Sequence, residues 1–379
     1  MFVAAYQIAP ASLLPVIMGR LSIGPTAASW VMSVLFLSMA VGAIPIGMVL
    51  DGVDNRNALL ASSAWLFVAS VWGWYAAGTG GYLSLLGSRL FGGLAVVAIW
   101  TASVNAVGNV AASDRQATAI TIYATSVPLG FAVGQFATPL VAERFGWALS
   151  FPLYGTLALV LTVAFWIVSQ DFEMETMTES RPTHSEFLAV FRHRAVWGVA
   201  TLGCIAISLT FIINNWMPTY FRDQYQLSLT QSGLFAAAFP AIGLLSRSFS
   251  GVLSDRTFGG RRKPLVVLAF LVTAPTVVGI ALVGSVGLTI GLLLVAGFFS
   301  QIGQVLLFVY VRELVAPNVV GTALAVVNAM GFLGAFGAPI LTGLIIEWSG
   351  AYLLAFAFSG GIASIAVVIA LALPESNPS

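Results

Sequence analysis

Two arginines interrupt long apolar stretches of this sequence, and their chemistry differs sharply from that of their neighbours. Arg247 lies eight residues before Asp255, which places it ~12 Å from the end of a helix that ends at that aspartate. Arg89 lies seven residues into another apolar stretch, ~10 Å from its start. A guanidinium stays charged and holds oxyanions or carboxylates with a fork of donors. Arg247 is therefore a candidate anion ligand, while Arg89 is expected to order its helix or to act in gating.

A second set of polar residues occurs twice along the chain. Gly47 precedes Asp51 by four residues, and Gly251 precedes Asp255 by the same spacing, 204 residues later. The first copy is followed by Arg56, whereas the second is followed by the richer basic set of Arg256, Arg261 and Arg262. A further match at an offset of 200 relates Gly134, Phe136 and Pro139 to Gly334, Phe336 and Pro339. Such self-similarity predicts two related halves.

The elements that must position these residues are membrane helices. Of 379 residues, 59% are hydrophobic and 8% are charged, whereas soluble domains carry roughly 25% charged residues. Because ~20 apolar residues cross a bilayer, the sequence predicts twelve spans, numbered 1 to 12 in chain order: 2–19, 27–50, 57–77, 82–110, 117–141, 147–169, 195–221, 229–253, 264–284, 286–314, 319–347 and 350–373.

The polar segment 170–194 divides these spans into two six-helix bundles, 1–169 and 195–379. With a cytoplasmic N-terminus, the inside loops would hold ten basic residues (Arg56, Arg115, Arg181, Arg192, Arg194, Arg256, Arg261, Arg262, Lys263, Arg312) and the outside loops three (Arg20, Arg144, Arg222). Basic residues favour the cytoplasmic side. Both termini are therefore predicted to lie inside the cell, with 170–194 as a cytoplasmic linker.

These features resemble the major facilitator superfamily over essentially the whole chain. The doubled Gly-x-x-x-Asp loop is similar to the family's signature, and Arg89 with Gly93 is similar to its fourth-helix Arg-x-x-x-Gly. The run from Arg247 to Asp255 resembles the eighth helix of nitrate and nitrite porters and related organic-anion carriers, in which the matching arginine binds the anion. Those porters carry a partner arginine in the second helix, and span 2 has none. A larger organic anion is therefore an alternative to nitrate.

The resemblance implies an all-α, twelve-helix membrane fold with a substrate site near the midplane. The polar residues then expected to bind substrate with Arg247 are Tyr6, Gln7, Asn105, Asn214, Asn215, Gln301 and Gln304. Tyr123, Gln135 and Asn328 are further candidates, and Trp100 and Phe308 are candidate aromatic walls. Each of these side chains has an alternative role in interhelical hydrogen bonding or packing.

Several other classes of function are excluded or disfavoured. Both histidines, His184 and His193, lie in the polar segment 170–194, and the single Cys204 cannot form an intramolecular disulfide, so no metal or cofactor is expected. The net charge of +1 and the absence of a basic stretch argue against nucleic-acid binding. The sequence contains no HExxH motif, GxSxG motif or nucleotide-binding loop, so an enzyme is not expected.

The leading hypothesis is secondary active transport of a small organic or inorganic anion across the plasma membrane by alternating access, by a monomer in the lipid bilayer. No Asp or Glu lies in the middle of a span. This pattern favours exchange with a counter-anion, or symport in which the substrate carries the proton, over a carboxylate relay. The alternatives are efflux of hydrophobic compounds and a transporter-like membrane sensor.

The doubled loop generates the first testable prediction. An aspartate attracts the positive N-terminal end of a helix, so Asp51 and Asp255 are expected to contact the starts of spans 11 and 5, near Asn318 and Ser113. We expect the double variant Asp51→Asn, Asp255→Asn to shift the balance between inward-open and outward-open protein, measured by accessibility labelling. Unchanged transport with an unchanged balance would leave the loops with an anchoring role only.

Overall fold

A computed structural model gives the fold and describes residues 1–50, 53–110, 116–170, 190–316 and 319–375. The twelve predicted spans are confirmed as helices whose bounds lie within four residues of those expected from the sequence: Phe2–Leu21, Pro25–Leu50, Asn55–Thr79, Tyr82–Val110, Gln116–Phe145, Trp147–Val168, Arg194–Tyr225, Leu229–Thr257, Lys263–Leu282, Val286–Leu314, Val320–Ser349 and Tyr352–Ala372. No strand occurs among the described residues.

Eleven of these helices are both long and apolar enough to cross a membrane, counted over the described part of the chain. The remaining one is span 5, with 30 residues that include Pro128 and Pro139. At about 1.5 Å per residue it measures ~45 Å, longer than the ~30 Å hydrocarbon core. The all-α, multi-pass membrane architecture follows.

Two spans are interrupted at or near a proline. Span 1 consists of an α-helix at Phe2–Ile8, a 3₁₀ segment at Ala9–Leu13 and a second α-helix at Leu14–Leu21. Pro10 lies within that 3₁₀ segment. Span 8 is divided at Ala237, between helices Leu229–Ala236 and Ala238–Thr257. Pro240 follows three residues after this division and cannot donate to the carbonyl of Ala236.

The chain forms two compact units. The first comprises Met1–Thr178 with Gln226–Ala237, and the second comprises Glu179–Tyr225 with Ala238–Ser379. Gln226–Ala237 packs in the first unit because Gly233 lies directly against the Gln135 carbonyl and the Pro139 ring of span 5. In the same unit, the Thr230 N–H donates to the Glu143 carboxylate at 3.2 Å.

The internal repeat is visible in how the spans pack. Gly93 of span 4 lies so close to span 2 that a methyl group there would overlap the Leu35 carbonyl. In the second unit, a methyl group at Gly297 of span 10 would lie 3.0 Å from the Phe239 carbonyl oxygen of span 8. Both the glycines and their partners are 204 residues apart. The two units therefore bring equivalent spans together through equivalent glycines.

Two more glycine pairs repeat this correspondence. Gly134 of span 5 packs on span 1, where its Cβ would lie 3.0 Å from the Ala5 Cα, and Gly334 of span 11 packs on span 7, where its Cβ would lie 2.5 Å from the Cys204 carbonyl oxygen. Gly155 packs on span 3 as Gly360 packs on span 9. Small residues let helix backbones approach closely where lipid supplies no hydrophobic drive.

A fully buried arginine connects three spans of the first unit. The Arg89 guanidinium donates to the carbonyl oxygens of Tyr6 at 3.0 Å, Gln7 at 2.8 Å and Val31 at 3.1 Å. Its central carbon also lies 4.7 Å from the centre of the Tyr6 ring. Pro10 has no N–H to donate to the Tyr6 carbonyl four residues before it, so Arg89 supplies a donor that the helix lacks.

Spans 7 and 10 of the second unit, which the structure describes over their full length, have no equivalent of this contact. The position 204 residues after Arg89 is Leu293, which is fully buried, and span 7 is one continuous helix over Arg194–Tyr225. The backbone N–H groups of this helix donate to its own carbonyls except at Pro218, which has no N–H. The proline break in span 1 and the buried arginine in span 4 therefore occur together in one unit, and the equivalent spans 7 and 10 of the other unit have neither.

The glycine contacts predict a position-specific loss of stability. Gly334→Ala would place a methyl group against the Cys204 carbonyl, whereas Gly337→Ala in the same helix would meet no described atom within 4 Å. We expect Gly334→Ala to cost about 1–3 kcal/mol and to lower the unfolding temperature of the purified protein. Gly337→Ala should be neutral or slightly stabilising. Equal unfolding temperatures for the two variants would contradict the close packing of spans 7 and 11.

The Arg89 contacts predict that lysine is not an adequate replacement. A lysine ammonium is a point charge and cannot reach three carbonyls of two spans with one planar fork. We expect Arg89→Lys to destabilise the protein by about 1–3 kcal/mol, measured by thermal unfolding in detergent. Arg20→Lys, at an exposed position in span 1, is the matched control and should be neutral. A stability loss that is the same in both variants would rule out the carbonyl contacts as its cause.

Candidate functional site

A cavity of about 360 Å³ lies inside the first unit, among spans 1, 3, 4, 5 and 6. Its polar lining comes from Gln7, Ser103, Tyr123, Ser126 and Thr162. The rest of the lining is apolar and includes Trp100, whose ring centre is 5.3 Å from that of Tyr123. The cavity combines a few polar groups with aromatic walls, which is typical of a small-molecule site.

The structure brings together only some of the first-unit residues proposed from the sequence. Gln7, Trp100 and Tyr123 line the cavity, whereas Asn105 is exposed and is not part of its lining. Ser103 and Ser126 line it as well. Sequence analysis missed these serines because an isolated serine in an apolar helix has no pattern that marks it as functional.

Tyr6 has a structural position. Its side chain is 1% exposed, its ring lies beneath the Arg89 guanidinium, and its hydroxyl packs against Gly92 of span 4. A methyl group at Gly92 would lie 2.6 Å from that hydroxyl oxygen. Tyr6 therefore helps to hold spans 1 and 4 together, which is the alternative role considered for it.

The second unit holds Arg247 in the helix Ala238–Thr257, where its side chain is partly exposed. One turn earlier, Gly243 lies directly against the side chain of Gln301 from span 10. The Gln301 Nε2 donates to the Phe239 carbonyl at 2.9 Å. Gln301 is thus 3% exposed and is used to fix the register of span 8 against span 10.

Gln304 follows Gln301 by nearly one helical turn, as Arg247 follows Gly243 by one turn. Spans 8 and 10 run in the same direction under the predicted topology, so their register places Gln304 at about the level of Arg247. The Gln304 Oε1 is buried and accepts no hydrogen bond from the described residues. The Gln304 side chain can therefore still accept a hydrogen bond from a ligand, whereas Gln301 uses its amide within the protein.

The neighbouring asparagines of span 7 differ in their hydrogen bonding. The Asn214 Nδ2 donates to the Thr210 carbonyl of its own helix at 2.8 Å. Asn215 is 1% exposed, yet neither its Nδ2 nor its Oδ1 has a hydrogen-bond partner in the described structure. The same holds for the Thr219 hydroxyl, one turn further along. The remaining candidates are Gln135, which is buried, Asn328, which is exposed, and Phe308, which is partly buried.

The second signature loop forms an ion-pair network. Arg262 donates to the Asp255 carboxylate at 2.7 Å, to the Glu313 carboxylate at 3.0 Å and to the Ser254 hydroxyl at 2.7 Å. Partial burial acts to lower the pKa of Arg262, but its hydrogen bonds to the two carboxylates and their charges outweigh this, and the pKa is raised. The network joins the ends of spans 8 and 10.

Both halves also use a cation to bind the end of their last span. Arg56 donates to the Ser169 carbonyl at 2.6 Å and to the Gln170 carbonyl at 3.1 Å, after span 6. Lys263 donates to the Leu373 carbonyl at 2.7 Å, after span 12. A cation at a helix C-terminus satisfies free carbonyls and complements the helix dipole.

The other loop residues show fewer contacts. A Cβ at Gly47 or Gly251 would meet no described atom within 4 Å. Arg256 and Arg261 are exposed. Asp51 lies outside the described residues, as do Ser113 and Asn318, so the contacts expected of the two aspartates stay predictions.

The chain is similar in sequence to several transporters. The nitrite extrusion protein of Bacillus subtilis (strain 168) is 27% identical over 246 residues, 64% of this chain and only 60% of that protein. The hexuronate transporter of the same strain is 23% identical over 362 residues, 89% of this chain and 85% of that protein. The gentisate transporter of Corynebacterium glutamicum is 24% identical over 339 residues, 84% of this chain and 72% of that protein.

A solved structure has the same fold. The crystal structure of a bacterial homologue of the human lysosomal transporter Spinster, inward-facing and occupied, superposes with a TM-score of 0.79 and 13% identity, covering 98% of this chain and 93% of that one. The family model described as Major Facilitator Superfamily matches residues 1–339. This chain is thus a multi-pass membrane transporter with a small-molecule substrate and not an enzyme, and it belongs to the Major Facilitator Superfamily.

Proposed function

We propose that the protein is a secondary active transporter that moves a small anion, an organic carboxylate or an inorganic oxyanion, across the plasma membrane by alternating access. The relatives named for nitrite, hexuronate and gentisate support an anionic cargo. The proposal also places both termini in the cytoplasm, treats 1–169 and 195–379 as the moving bundles joined by 170–194, and describes a monomer.

The observation that carries this proposal is the contrast between the two membrane arginines. Arg89 is fully buried and spends its guanidinium on three backbone carbonyls, so its charge is part of the fold. Arg247 is partly exposed within span 8, and the contact of Gln301 with Phe239 sets a register that puts Arg247 near the level of Gln304. A charge inside a span is costly and is kept for a task. Arg247 can therefore attract an anion and Gln304 can add a hydrogen bond to it.

The other proposed substrate contacts divide between the two units. In the first unit, Gln7 and Tyr123 line the cavity beside Trp100. In the second unit, Asn215 adds to Arg247 and Gln304, while Gln301 and Asn214 are used mainly within the protein. Access to these groups changes as the cytoplasmic loops make and break their contacts, with the Arg262 network holding one of the loops.

The coupling follows from the absence of acidic side chains in the middle of the spans. Without such a carboxylate, coupling takes one of two forms. Either the substrate itself carries a proton, or a counter-anion moves in the opposite direction. Uptake into vesicles that contain either no anion or an internal carboxylate, with and without a pH gradient, separates these two modes.

The central prediction concerns Arg247. We expect Arg247→Ala to weaken anion binding to purified protein by about 10- to 150-fold, because a hydrogen bond to a charged group contributes ~1.5–3 kcal/mol. Arg247→Lys should restore part of the affinity, since it keeps the charge but loses the fork. Titration calorimetry with a panel of carboxylates, nitrate and phosphate measures this.

Arg222→Ala is the matched control, because it removes the same charge at an exposed position near the end of span 7. It should leave anion binding unchanged. Binding of hydrophobic cations or neutral drugs that is undiminished in Arg247→Ala would favour efflux of hydrophobic compounds. Anion binding that is equal in wild type and Arg247→Ala would overturn the proposal.

A further inference from the structure

We propose that Asn215 and Thr219 form a hydroxyl-binding subsite, and that the substrate is a hydroxylated carboxylate of several carbons rather than an inorganic oxyanion. This inference rests on the proposed anion transport, because it assigns the carboxylate to Arg247. It adds a second anchoring point on span 7 and a chemical requirement for the rest of the substrate.

Asn215 and Thr219 differ from the neighbouring polar residues in their hydrogen bonding. Asn215 and Thr219 are each 1% exposed, and neither forms a hydrogen bond within the described part of the chain. Other buried threonines of the protein donate to the carbonyl four residues earlier, as Thr210 does to Ala206 at 3.0 Å and Thr342 does to Ala338 at 2.8 Å. Thr219 makes no such bond.

Burial of these polar groups without hydrogen-bond partners costs free energy. A buried polar group without a partner loses its hydration and gains nothing in return, so most buried polar groups of native proteins are hydrogen-bonded. Residues four apart on a helix share one face. Asn215 and Thr219 therefore present three donors and two acceptor oxygens on one face of span 7, and a ligand is the group that would satisfy them together.

The unsatisfied side-chain atoms include both donors and acceptors, which a hydroxyl group matches better than an oxyanion does. A deprotonated oxyanion such as nitrate offers only acceptors, so it could bind the Asn215 Nδ2 but would leave the Asn215 Oδ1 and the Gln304 Oε1 without a donor. A hydroxyl group both donates and accepts, and it satisfies an amide or another hydroxyl in full. A substrate with O–H groups in addition to its charge satisfies these donors and acceptors in full, as a bound water would, whereas a bare oxyanion does not.

The distance between Asn215 and Arg247 along the helices also favours a longer substrate. Asn215 lies twenty-one residues after Arg194 at the start of span 7, and Arg247 lies ten residues before Thr257 at the end of span 8. These two helix ends lie on the same side under the predicted topology, so at about 1.5 Å per residue Asn215 is ~16 Å further from that side than Arg247. The long arginine side chain covers part of this distance. A small oxyanion cannot reach both residues, whereas an acid with a chain of several hydroxylated carbons can.

The test compares acids that share a skeleton. Threonate carries three hydroxyls on the four carbons of butyrate, and gluconate is a longer acid of the same kind. We expect calorimetry on the purified protein to give the order gluconate, then threonate, then butyrate, with at least a tenfold preference for threonate over butyrate. Nitrate should bind more weakly than gluconate.

The variants locate this preference. Thr219→Val keeps the shape and removes the hydroxyl, and Asn215→Leu removes the amide; each should lower the preference for threonate to about one third of its wild-type value or less, with butyrate affinity unchanged. Thr210→Val is the matched control, because that hydroxyl is satisfied by its own helix, and it should keep the full preference. Thr219→Val provides the test if Asn215→Leu fails to fold.

The outcomes separate this inference from the proposed function. Arg247→Ala should weaken threonate and butyrate alike, and if it weakens neither, the proposed function fails. If Arg247→Ala weakens both acids but the wild-type protein binds them equally, or if Thr219→Val and Asn215→Leu keep the full preference, the hydroxyl subsite is wrong and anion transport stands. Nitrate binding as tightly as gluconate would also overturn the inference.

Discussion

The structure depends on one constraint, which is that backbone carbonyls at membrane depth need a donor from the protein. In span 1, Pro10 has no N–H and cannot donate to the carbonyl four residues before it. Arg89 compensates by donating to the carbonyls of Tyr6 and Gln7 and to a carbonyl of span 2. The cost of burying a guanidinium is offset by these charge-assisted hydrogen bonds and by the ring of Tyr6. Because the donors come from span 4, the same contact that repairs span 1 also sets the packing of three spans.

This contact explains why the two halves are related but unequal. Their glycine contacts correspond pair by pair, since Gly93 and Gly297 bring equivalent spans together and cations after spans 2 and 8 bind the ends of spans 6 and 12. The second unit has Leu293 where the first has Arg89, and its span 7 is unbroken. Arg89 is used by the fold of the first unit, whereas Arg247 of the second unit is the arginine that we propose binds the substrate.

Hydrogen-bond accounting separates the polar residues of the spans into two groups. Gln301, Asn214 and most buried threonines satisfy themselves within the protein, and they set helix register. Gln304, Asn215 and Thr219 instead keep polar atoms without a hydrogen-bond partner in the described structure. These three residues lie in the unit that carries Arg247, although the Tyr6 hydroxyl of the first unit also lacks a hydrogen-bond partner in the described structure. A polar residue in a membrane helix is thus informative about substrate only after its partners are known.

The amino-acid sequence by itself determined the helices and the repeat. Apolar runs of membrane-spanning length predicted twelve spans because a bilayer admits few other structures, and the offset of 204 residues between the two signature loops predicted two halves. The roles of individual polar residues needed the tertiary structure. Tyr6 and Asn215 look alike in the sequence, as polar residues in apolar runs, but the Tyr6 ring packs beneath the Arg89 guanidinium, whereas neither polar atom of the Asn215 amide has a hydrogen-bond partner in the described structure. That difference depends on which backbone groups and side chains of other spans come within about 3 Å, and helical periodicity carries no information about neighbours far away in the chain.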